Sequence, residues 1–205
     1  MRPLASTAPR RKHRIALAVD VGVKAALIGL LLFAVVRSDL PQFAGKAMTS
    51  RAIAYPVAAL IVPAVWWLFL RRRTASTYPY AIDILVVLPF LIDTVGNAAD
   101  LYDTISWWDD LNHFVNWAIL VAAFGQVLIR LPLDKLTVAS LSIGFGALTA
   151  ILWELVEYWA FVRHSDELDT AYTDTLGDLA LGLGGSVCAA LLTVTLLWPK
   201  RGRSR

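Results

Sequence analysis

Six long apolar runs, at residues 15–36, 52–70, 80–96, 111–129, 136–162 and 173–198, constrain this chain more than any other feature. A helix that crosses the hydrocarbon of a bilayer needs about 20 apolar residues, with about 17–25 the usual range. All six runs reach that length. The third is the most interrupted, by Asp83, Pro89 and Asp93. Proline is tolerated in a spanning helix when neighbouring groups satisfy the freed carbonyl. The fifth and sixth are long enough to tilt or to project past the headgroups. Composition agrees: 58% of the 205 residues are hydrophobic and 17% are charged. A soluble domain runs nearer 45–50% and about 25%. The eight tryptophans mostly flank apolar runs, as interfacial belts do. The expected fold is all-α: a polytopic membrane protein with a bundle of six transmembrane helices. One domain at 15–198 lies between basic tails at 1–14 and 199–205.

Charge sets the expected orientation. Five Lys or Arg residues fall in the first 14 positions. Arg71, Arg72 and Arg73 follow the second run, Arg130 and Lys135 the fourth, and four more end the chain. The alternate loops hold Arg37, Lys46, Arg51 and Arg163, and Lys24 lies within the first run. Cytoplasmic loops carry the excess of Lys and Arg. Both termini are therefore expected in the cytoplasm, with the protein a multi-pass resident of the inner membrane. Arg10-Arg11 resembles a twin-arginine signal, but the run behind it is too long for a signal core, so residues 1–14 read as a tail. Cys188, the sole cysteine, excludes an intrachain disulfide and a cysteine-based metal site. It reads as a small packing residue in an apolar helix. There is no Walker-type or GxGxxG loop for a phosphate-bearing cofactor, and nothing points to nucleic acid. Gly144, Gly146, Gly177, Gly182, Gly184 and Gly185 read as helix-packing positions.

Acids gather at the ends away from the basic loops. Residues 107–117, Trp-Trp-Asp-Asp-Leu-Asn-His-Phe-Val-Asn-Trp, open the fourth run. On a helix, Asp109 and His113 lie one turn apart, Asp110 also comes within reach of His113, and Asn112 pairs with Asn116. The fifth run ends Trp153-Glu154-x-x-Glu157, and the sixth begins Asp174-x-x-x-Asp178. Each pair shares a helix face. The third run ends with Asp93 before Gly96-Asn97. Ionisable groups at membrane depth face a bundle interior or a wet cavity. Several carboxylates in one site cannot all stay ionised without a counter-charge. His113 and Arg163 are the basic partners expected nearby. The charge deficit leaves two solutions, protons or a divalent cation. The expected ligand set is His113, Glu154, Glu157 and Asp178, with Asp110 or Asp174 completing the shell. Such an oxygen-rich set suits Mg, Mn or Ca better than a typical structural zinc site. The loop acids Asp100, Asp103, Asp166, Glu167 and Asp169 read instead as solvated or capping groups. Asp20 and Lys24, one turn apart in the first run, read as a pair.

These motifs resemble the YjdF-type family of uncharacterised bacterial inner-membrane proteins. The resemblance covers about residues 80–185. It rests on Asp93 with Gly96-Asn97, Leu101-Tyr102, Trp108-Asp109-Asp110 with His113, Trp153-Glu154 with Glu157-Tyr158, and Tyr172-Thr-Asp174-Thr with Gly177-Asp178. A looser resemblance is to VanZ-like membrane proteins, whose pattern Asp109/His113, Glu154 and Asp174 fit. Glu157 and Asp178 are acids where that pattern has amides. The first resemblance implies a multispanning membrane protein with no established reaction.

Three functions stay open on the sequence. An enzyme would use a metal to act on a lipid, lipid-linked or envelope substrate at the outer face. No Ser/His or Cys/His nucleophile pair is evident, so no catalytic residue is assigned. A transporter would use Glu154, Glu157 and Asp178 as ion or proton sites, although six spans show no evident inverted repeat. A structural envelope protein would pair its acids internally. Membrane lipids are the expected surroundings in each case.

Overall fold

A computed structural model describes residues 8–72, 77–160 and 162–199. It is helical, and no strand occurs among the described residues. α1 spans Ala8–Val36, beginning within the stretch read as a tail. Arginine and lysine are good helix formers, so the apolar helix runs back through 10–14 without a breaker. A short turn at Pro41–Phe43 leads into α2, Met48–Ala59. α2 breaks at Leu60 and resumes as α3, Ile61–Val65, which ends in a wide turn at Trp66–Leu70. Pro63 explains the break. It has no N–H for the Ala59 carbonyl, and its ring crowds that carbonyl. The chain returns as α4, Tyr80–Ala98, with Pro89 inside it. A one-turn helix, α5 at Leu101–Thr104, precedes α6, Trp108–Leu128. α7 is Lys135–Ala160 and α8 is Ala171–Leu196. Asp134 caps α7, accepting from the Thr137 backbone at 3.0 Å and its hydroxyl at 2.8 Å. Those bonds hold the Asp134 carboxyl below its ordinary range.

Six helical stretches among the described residues are long and apolar enough to cross a membrane. They match the six runs, with Met48–Leu70 serving as one span. α6 is the hub. It packs most extensively on α8, and also on α4 and α7, while α1 lies against α4 and α2. Close approach of α6 and α8 depends on glycine. A Cβ on Gly182 would meet the Trp117 ring, and one on Gly185 would strike the Phe114 carbonyl. The packing reading therefore holds at these two positions. It does not hold for Gly144 and Gly177, which face open space, or for Cys188, which is exposed on α8. A helix buried on one face only leaves such small residues on its lipid-facing side.

Two polar clusters lie at different heights with an apolar layer between them. Near the start of α4, Lys24 donates to Asp20 at 3.0 Å and to Asp83 at 2.5 Å. Tyr78 also donates to Asp83. Burial and the Asp83 charge push the Tyr78 phenol well above its ordinary value. The expected Asp20–Lys24 pair is thus present, with Asp83 added. One turn further along, Leu27, Leu31, Tyr55, Ala59 and Val87 form a buried apolar cluster. Beyond that layer lie Asp93, Arg51 and the acidic ends of α6, α7 and α8.

Candidate functional site

His113 occupies the centre of the second cluster. It lies in the second turn of α6, where the pattern of Asn112, His113, Asn116 and Trp117 turns one polar stripe inward. The ring is 8% exposed. Its Nδ1 stands 3.7 Å from Glu154 Oε1 of α7. Its Nε2 stands 3.6 Å from Asp178 Oδ1 of α8 and 3.7 Å from Asp109 Oδ1, one turn back on α6. Nδ1 is buried without a hydrogen-bond partner. Ligand atoms of His113, Glu154 and Glu157 lie within 4.8 Å of one another, as do those of Asp109, His113 and Asp178. The imidazole is therefore faced by carboxylates on both nitrogens.

A second set of groups supports this one. Asp93, buried on α4, accepts from the Arg51 guanidinium at 3.2 Å, from Tyr55 at 2.7 Å and from Tyr102 at 3.0 Å. Asn97 adds a bond at 3.3 Å. Arg51 also donates to the Lys46 carbonyl, which ties the α1–α2 loop to the site. Burial and the Asp93 charge hold the Tyr102 phenol well above its ordinary value, so it remains a donor. Asn116 donates to Asn112 at 3.2 Å, as their spacing suggests.

The cluster stands between two cavities. A vestibule of about 530 Å³ is lined by Lys46, Arg51, Asp109, Glu154, Glu157 and Asp178, among others. A smaller chamber of about 70 Å³ is lined by Phe90, Leu120 and Trp153 together with Asp93, Asn112, His113 and Asn116.

A family model for predicted membrane proteins (DUF2238) matches residues 23–198, from the second half of α1 through all of the later spans. The chain belongs to this family. No curated protein and no solved structure matches it. The family's description carries no activity, so the chemistry of this member has to come from its own geometry.

That geometry sets three of the six expected ligands around a fourth, His113, in two groups: Glu154 with Glu157, and Asp178 with Asp109 on the other ring nitrogen. It leaves two aside. Asp110 is exposed, and Asp174 is exposed on the vestibule wall. Asp109 takes the position beside His113 instead. Sequence reasoning counted Arg51 among the loop cations and missed its role as the site's buried counter-charge. The available signal was its place in the first turn of a spanning helix, at the depth of Asp93. Arg163, the expected partner, stacks over Trp159 with its guanidinium 4.4 Å from the ring centre. Of the loop acids, Asp103 is exposed, as expected, and pairs with Lys46 at 2.5 Å. Asp169 is exposed, whereas the side chains of Asp166 and Glu167 lie outside the described set.

Proposed function

We propose that the His113 cluster holds a divalent cation, and that the protein uses it on a lipid or lipid-linked envelope substrate at the outer face of the inner membrane. The observation that carries this reading is the spacing around the imidazole. Separations of 3.6–3.7 Å exceed hydrogen-bond reach. They do suit two ligand atoms sharing one ion, because bonds of about 2.0–2.4 Å place neighbouring ligands roughly 3–4 Å apart. A neutral imidazole has one acceptor and one donor nitrogen. Nδ1, which lacks a partner, faces the cation with Glu154 and Glu157. Nε2 faces Asp178 and Asp109 at 3.6 and 3.7 Å, beyond direct hydrogen-bond reach but close enough for both carboxylates to favour a cation on the ring electrostatically. An ion so placed polarises a phosphoryl or acyl oxygen in the vestibule and activates water.

The orientation belongs to the same reading, because the basic excess at the opposite end supports cytoplasmic termini. The YjdF-type likeness agrees with an inner-membrane setting, and the VanZ-like motif shares Asp109, His113, Glu154 and Asp174. A proton- or ion-coupled permease is less well supported. The layer of Leu27, Leu31, Tyr55, Ala59 and Val87 separates the two polar clusters.

Elemental analysis and calorimetry on detergent-purified protein test the cation. Stripped wild-type protein takes up Mg, Mn, Ca or Zn near neutral pH, and His113→Ala weakens that uptake at least tenfold. A wild-type protein that takes up none of the four at millimolar concentration overturns the reading.

A further inference from the structure

The vestibule offers a way to name the substrate class. α2 packs on α1 and α4, and α7 packs on α6 and α8. The two helices touch at the base of the vestibule, where the Tyr55 ring stacks on Trp153 with centres 6.4 Å apart. Above that contact they flank the vestibule, with Arg51 on one side and Glu154, Glu157 and Tyr158 on the other. Depth matters here. Glu154 is 19 residues beyond the start of α7 at Lys135, which places it about 28 Å along the helix. The hydrocarbon of a bilayer is about 30 Å thick, so this cleft opens at the level of lipid headgroups. Exposed Tyr158, Trp159 and Tyr172 stand around the same end, as interfacial aromatics do.

The charges of the lining select among headgroups. Among the described residues, six carboxylates line it: Asp103, Asp109, Glu154, Glu157, Asp174 and Asp178. Lys46 and Arg51 are its cations, and both are already engaged, by Asp103 and Asp93. A divalent ion offsets two negative charges and leaves an excess. A purely anionic headgroup meets that excess as repulsion. A headgroup with a phosphate at one end and an ammonium at the other does not. Its phosphate reaches the ion, while its ammonium reaches the acids of the outer wall, where Asp174 is exposed in α8's first turn.

We infer that the vestibule admits the headgroup of a zwitterionic amine-bearing phospholipid. This rests on the cation site proposed above for the phosphate contact; the ammonium contact is an independent addition.

Native mass spectrometry tests it. The probe is an equal mixture of phosphatidylethanolamine and phosphatidylglycerol with the same acyl chains, added to purified protein whose metal content is measured in parallel. Wild-type protein is expected to retain phosphatidylethanolamine several-fold over phosphatidylglycerol. Asp174→Asn is expected to lower that preference several-fold with metal content unchanged. Metal-loaded protein with no preference, or with a preference for phosphatidylglycerol, overturns the inference and leaves the cation site standing. An unchanged preference in Asp174→Asn overturns the assignment of the ammonium to the outer wall. Metal-free protein overturns the cation reading and the phosphate contact with it.

Discussion

At the scale of single residues, the site turns on which of two adjacent acids faces inward. Asp109 and Asp110 differ by about 100° around α6. Asp109 and His113 lie nearly in line, so burying the histidine brings Asp109 with it. Asp110 is left at the surface. The sequence shows both acids within reach of His113, and only packing against α8 decides between them. Asp109→Asn should therefore weaken cation uptake several-fold, and Asp110→Asn should leave it unchanged; titration calorimetry on the two variants reads the difference. Arg51 was obscured for a related reason. A cation near a helix start is indistinguishable, along the chain, from a loop cation. In the fold it neutralises the buried Asp93. Arg51→Met should cost about 3–5 kcal/mol, the usual penalty for stranding one member of a buried ion pair. A drop in the thermal midpoint of detergent-purified protein reads that cost, and a stability equal to wild type would contradict the pairing. Tyr102 adds a pH signature. Its raised folded value means that its contribution is complete below the ordinary tyrosine value of about 10. That contribution is lost as pH rises from there through the raised value. Tyr102→Phe should accordingly remove a stability loss seen only on the alkaline side, measurable by unfolding at a series of pH values.

At the scale of elements, the helices were the most legible part of the chain, because bilayer-length apolar runs leave few alternatives. Their ends were less so. The break at Leu60 follows from Pro63, yet the two pieces still serve one span. Which face of each helix turns inward was legible only where polar residues repeat at three or four positions, as in α6 and at the end of α7. In α8 the glycines gave an ambiguous signal. Gly177 and Gly185 look alike in sequence, but Gly185 sits against the Phe114 carbonyl and Gly177 faces open space. This contrast yields a paired expectation. Gly185→Ala should destabilise the protein by about 1–3 kcal/mol, as overpacking in a tight interface does, whereas Gly177→Ala should be close to neutral. Thermal unfolding of the two variants in one detergent separates them. Equal losses would mean that α6 and α8 do not approach as closely as described. Because α6 and α8 carry His113 and Asp178, a shift between them would also widen the 3.6 Å separation that defines the site.

At the scale of the whole molecule, orientation decides which compartment the vestibule serves. Residues at the acidic end and at the basic end lie on opposite sides of six spans. Fourteen of the 19 Lys and Arg residues belong to the basic end and its tails, and such an excess stays in the cytoplasm during insertion. The acids contribute little to insertion, so their concentration at the other end reflects the site itself. Exposed positions allow a direct test. Cys188 is first replaced by serine, because it is exposed on α8. Single cysteines are then placed at Thr104 and Tyr172, at the acidic end, and at Arg72, at the basic end; all three positions are exposed. An impermeant thiol reagent applied to whole cells should label the first two, and should label the third only after lysis. The reverse pattern would put the vestibule in the cytoplasm. The cation site would survive that result, since its geometry is independent of sidedness. The substrate would not: the headgroup reaching His113 would then come from the inner leaflet, and an envelope substrate would be ruled out.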